Sequence, residues 1–89
     1  MSAAEPNLYE AAAREKKALA LADSLIRQAH VWLNDAESLH ALAAVAHELT
    51  PERRRLHERA AGVALSSDVT WGRVAEILCE RARAAQVER

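Results

Sequence analysis

Four histidines, one cysteine and a run of arginines are the side chains from which this sequence could build a chemical site. Glu37 and His40 stand three residues apart, the Glu-x-x-His spacing through which helical bundles supply metal ligands. Such a site needs a second pair and further inward glutamates, and residues 51–89 contain no second Glu-x-x-His. His40 and His47 share a helix face, but seven residues separate them by about 10 Å along the axis, too far to grip one ion. His30 and His57 are isolated. Cys79 follows Leu78 in a helical apolar row, where a thiol behaves as a small hydrophobe and nothing nearby activates it as a nucleophile. No glycine-rich phosphate loop, Ser/His/Asp arrangement or Cys/His cluster is present. The chain is therefore expected not to be an enzyme, with no catalytic, cofactor-binding or metal-ligating residue assigned.

The arginines allow a different chemistry. Arg53, Arg54, Arg55 and Arg59 crowd one segment, and Arg73 follows beyond the polar stretch Ser66-Ser67-Asp68-Val69-Thr70. An Ala-containing helix leading through a short connector to a Ser/Thr-capped helix is loosely similar to a helix-turn-helix, which implies duplex DNA as a ligand of residues 51–85. The register resists this. A turn at Gly62-Val63 puts the charge of Asp68 at a core position, and a turn at Ala64-Leu65 puts Arg59 and Arg73 there. DNA binding through Arg53, Arg54, Arg55, Arg59 and Arg73 is kept as the alternative function.

The elements that would carry these residues are helices. Pro6 suits a first helical turn, and nothing breaks the pattern from there to Leu33. Leu19, Ala22, Ile26, Ala29 and Leu33 form one apolar row, beside which Ala18, Leu21, Leu25 and Trp32 form a second. The first half of this helix, with only Leu8, Tyr9 and alanines against many charges, lacks the bulk to dock, so residues 1–17 are expected to project or to be partly disordered. Asn34 with Glu37 makes a capping-box-like start for a second helix over 35–49, with Leu39, Leu42, Ala43, Ala46 and Leu49 inward. Without Gly or Pro at this break, one continuous helix remains the alternative. Thr50-Pro51-Glu52 opens a third helix to about Leu65, with Leu56, Ala60, Val63 and Ala64 inward and the arginines outside. Asp68 or Thr70 opens a fourth, along which Trp71, Val74, Ala75, Leu78, Ala82 and Ala85 recur at helical spacing.

The sequence thus predicts an all-α fold, a compact bundle or orthogonal array of about four helices with the first the longest, in one domain over 1–89. Alanine fills 21 of the 89 positions and phenylalanine none, so helices form readily around a thin core. A net charge of −1 excludes a strongly polybasic protein. It hides a mild polarity: Asp35, Glu37 and Glu48 make 34–49 acidic, and the arginines make 51–65 basic. The longest uncharged run, Ser38 to His47, is ten residues, far short of the roughly 20 that span a bilayer. A lone cysteine and no apolar leader point to the cytoplasm, and the use of Ala and of Arg over Lys to a GC-rich bacterial or phage genome. The function expected is that of a non-enzymatic helical protein-interaction module, a small regulator, adaptor or inhibitor without cofactor, self-associating as a homodimer through helix 1. Leu8, Tyr9, Leu21, Leu25 and Trp32 are its candidate contact residues.

Overall fold

The computed structural model describes residues 8–30, 35–65 and 68–87. Over these the chain forms four helices and no strand: α1 (Leu8–Gln28), α2 (Ala36–Glu48), α3 (Pro51–Ala61) and α4 (Asp68–Val87). The all-α bundle with α1 longest follows from the helix propensity of an Ala-rich chain with almost no β-branched runs. Trp32, Leu33 and Asn34 lie outside the described residues, so the cap expected from Asn34 is not among those seen.

The helix ends are set by local chemistry. Asp35 caps α2: its Oδ1 accepts from the backbone N–H groups of Glu37 (3.0 Å) and Ser38 (3.4 Å), and Ser38 Oγ donates to its Oδ2. Thr50 caps α3 by accepting from Arg53 N–H at 3.3 Å, with Pro51 in the first turn. Two ends come earlier than the apolar pattern suggests. α1 stops at Gln28 instead of Leu33, where His30 takes a left-handed φ of 56° and donates its N–H to Arg27 O. α3 stops at Ala61 instead of Leu65, because Gly62 at φ 70° lets its own N–H reach Arg59 O and that of Val63 reach Glu58 O. That pair of bonds satisfies two carbonyls that a helix end leaves open.

Three helices make the core. α1 contributes Ala18, Leu21, Ala22 and Leu25, at spacings of three, one and three. α2 contributes Ala36, Leu39, Ala43, Ala46 and Leu49, and α4 the row Trp71, Val74, Ala75, Leu78, Ala82 and Ala85, together with Ile77. Half of these core residues are alanine, so the axes approach closely and each side chain buries little area. α1 and α4 run parallel, since Glu15 meets Arg73 and Asp23 meets Arg81 at one offset of 58 residues. α2 runs against α4, its first residues Asp35 to Glu37 lying beside Gln86.

The faces of two helices differ from the sequence pattern. On α1 the buried stripe takes Ala18, Leu21 and Leu25 of the second apolar row with Ala22 of the first, whereas Leu19 and Ala29 of the first are exposed. On α3 the expected inward residues Leu56 and Ala60 are exposed, whereas Arg54, His57, Glu58 and Ala61 turn toward the body. Trp71 explains this orientation. Its indole is buried at 3% exposure, and its N–H needs an acceptor, which Glu58 Oε2 provides at 2.6 Å.

Candidate interaction surface

The parallel pairing of α1 and α4 creates a groove where both helices begin. Two ion pairs, Glu15 with Arg73 and Asp23 with Arg81, mark how the helices are aligned. Arg73 reaches across with both arms of its guanidinium, Nε to Glu15 Oε1 and Nη2 to Glu15 Oε2, each at 2.8 Å. Its Nη1 also donates to Glu80 at 2.8 Å and to Glu76 at 3.4 Å. A planar fork matches a carboxylate in this way, and the hydrogen bonds from Arg73 hold the Glu15 carboxyl below the usual carboxylate range. Arg81 pairs with Asp23 two turns further on.

Toward the start of both helices this clamp gives way to a groove of about 450 Å³, lined by Ala11, Arg14 and Glu15 on one side and by Val69, Thr70, Gly72, Arg73 and Glu76 on the other. The walls are low because Ala11 is small and Gly72 has no side chain. Leu8 continues the face of Ala11 and Glu15 one turn back, as the spacing 8, 11, 15 requires. In the groove wall Val69 is 82% exposed and, one turn before Ala11, Leu8 is 77% exposed; Tyr9, 88% exposed, is two residues from Ala11 and so on the other side of α1 from the groove. The α1 segment from Leu8 to Arg14 is exposed throughout, whereas from Glu15 onward α1 is tied to α4.

The predicted contact residues therefore separate. Leu8 and Tyr9 are at the surface. Leu21 and Leu25 belong to the chain's own core at 0% and 5% exposure, because the stripe they form faces the other helices of the same chain, so they are not surface contact residues. Trp32 lies outside the described residues. Nothing in the sequence singles out Val69 or Ala11 as a contact residue. Val69 fell within what reads as a polar connector, and Ala11 within a row of alanines; only the offset between α1 and α4 places them together.

The arginines separate too. Arg53, Arg55 and Arg59 are exposed on α3, and Arg55 and Arg59 border an open depression of about 660 Å³ with Glu58, Gly62, Val63 and Ala64. Arg54 lies over the Trp71 ring, 5.9 Å from its centre, and Arg73 is engaged by three carboxylates. Glu37, His40 and His47 are exposed on α2, and Cys79 is half-buried against the core. Among the described residues no three His, Cys, Asp or Glu side chains gather in a metal-binding group, and no helix is long and apolar enough to cross a membrane.

No protein-family model matches the chain, and neither does any curated protein or any solved structure.

Proposed function

We propose that the chain is a non-enzymatic helical protein-interaction module that self-associates as a homodimer through the common starting end of α1 and α4. The observation that carries this reading is that Val69, which lines the groove, Leu8, one turn before Ala11, and Tyr9 beside it are large apolar side chains more than three-quarters exposed near the start of the parallel α1 and α4. Val45 and Leu56 are exposed singly on other helices, and such scattered residues need no partner. Apolar residues gathered around a groove mark contact surfaces. A two-fold dimer uses the same patch twice, so each copy's Leu8 and Tyr9 would cover the other copy's groove.

Sedimentation velocity from micromolar to millimolar protein tests this. A concentration-dependent rise from one to two chains is expected. In the Leu8→Glu, Tyr9→Glu double variant the dissociation constant should rise by a hundredfold or more, since four apolar side chains leave the interface at a cost of about 3 kcal/mol or more. A single-chain mass at every concentration overturns the dimer.

The duplex-DNA alternative has narrower support, because Arg54 and Arg73 are already engaged within the chain and only Arg53, Arg55 and Arg59 remain on the surface. Affinity that falls steeply with salt and is lost on replacing these three would establish it in place of the module reading.

A further inference from the structure

α3 is held to the molecule unlike the other three helices. It buries none of its own residues, whereas α1, α2 and α4 supply every member of the core. Its backbone approaches that of α1 but not that of α4. It reaches α4 through long side chains only: Glu58 accepts the Trp71 indole N–H, and Arg54 lies over the ring. Toward α1, His57 Nδ1 and Gln28 Oε1 share a hydrogen bond at 2.9 Å, and Ala61 and Leu65 pack partly against the core. Both of its ends stop abruptly, at Leu49 with extended backbone and at Gly62 in the left-handed region.

We infer that α3 is a strap that opens as a unit, turning on Leu49-Thr50 and Gly62, and uncovers the Trp71 indole while α1, α2 and α4 remain folded. Opening exchanges polar ties, those of Glu58 and His57 among them, for water, and it removes no fully buried α3 side chain from the core. A segment with few buried apolar contacts belongs to the low end of the range of local stabilities. Trp71 is the side chain with most to lose, for its burial depends in part on a helix that brings it polar groups. Opened, the strap presents an aromatic face in the first turn of α4; closed, it hides that face and satisfies its N–H.

Amide hydrogen exchange on the full chain, followed residue by residue by NMR under conditions where exchange reports the opening equilibrium, tests the strap. After correction for intrinsic rates, the amides from Arg55 to Ala61 should exchange at least a hundredfold faster than the slowest amides of α2 and α4, with little dependence on urea. Leu39→Ala, which loosens the α2 core without touching α3, should accelerate those slow amides at least tenfold and leave the α3 rates within threefold of wild type, because Leu39 stays buried when only the strap opens. Ala43→Gly gives a milder version should Leu39→Ala unfold. Glu58→Ala should accelerate the α3 amides about tenfold. The inference is overturned if α3 rates rise with the core rates in Leu39→Ala or Ala43→Gly, if α3 shares the urea-sensitive rate of α4, or if Glu58→Ala leaves α3 unchanged.

Discussion

The same substitution at the chain's two glycines should change stability in opposite directions. Built onto the backbone, a methyl group meets nothing within 4 Å at either Gly62 or Gly72, so packing does not distinguish them and the backbone decides. Gly72 lies inside α4 with helical backbone, where glycine costs roughly 0.5–1 kcal/mol relative to alanine through its greater freedom in the unfolded chain. Gly72→Ala should therefore raise stability by about 0.7 kcal/mol. Gly62 closes α3 at φ 70°, a conformation that costs an L-residue about 1–2 kcal/mol. Against this, alanine recovers part of the unfolded-state entropy, so Gly62→Ala should lower stability by about 1 kcal/mol net. Urea unfolding followed by circular dichroism measures both, and a heat scan should move the midpoint up and down by several degrees, at about 4–8 °C per kcal/mol for a domain of this size. Shifts of the same sign, or a loss above about 0.5 kcal/mol at Gly72, would refute the assignment of backbone conformation on which the argument stands.

The Glu15–Arg73 pair gives a pH-dependent effect. Arg73 lowers the Glu15 pKa in the folded chain, so the pair's stabilisation is complete above the ordinary glutamate value of about 4.3 and is lost as pH falls through the lowered folded value. Both side chains are substantially exposed, so Glu15→Gln should cost only about 0.5 kcal/mol at neutral pH, and urea titrations should show the two proteins converging in acid. A gap that persists or widens in acid contradicts the pairing. At the end of α1, His30→Val should lose about 1 kcal/mol in the same assay, because a β-branched residue resists the left-handed region more than histidine does, while His30→Asn stays close to wild type. Equal stability of the valine variant would show that His30 does not hold that conformation.

Where a helix is buried along a single stripe, periodicity alone located its core. The row from Trp71 to Ala85 on α4 and the row from Leu39 to Leu49 on α2 are both inside as their spacing implies. The row failed on α3, because apolar spacing identifies the face a helix would prefer to bury, whereas the requirement of the Trp71 N–H for an acceptor turned Glu58 and Arg54 inward. Helix ends failed for a related reason: Gly62 is a stop signal beneath an apolar pattern that continues past it, and the left-handed turn at His30 has no such signal in the sequence. Of the exposed apolar residues near the groove, Leu8 and Tyr9 are legible from the lack of bulk around them. Val69 is not, since its neighbourhood depends on the partner helix, and the ion pairs that set the alignment join residues remote in sequence.

Those remote ion pairs also bear on the order in which the molecule assembles. Neighbouring helices joined by a short turn must run in opposite directions, so a side-by-side pair pointing the same way obliges the chain to travel out and back before it can close. Asp23 and Arg81 meet only after 58 residues have been gathered in, and the loop entropy of that step is spent before any contact between α1 and α4 rewards it. α2 and α4 close over a shorter stretch of chain, so on loop entropy alone their contact should form before α1 docks on α4.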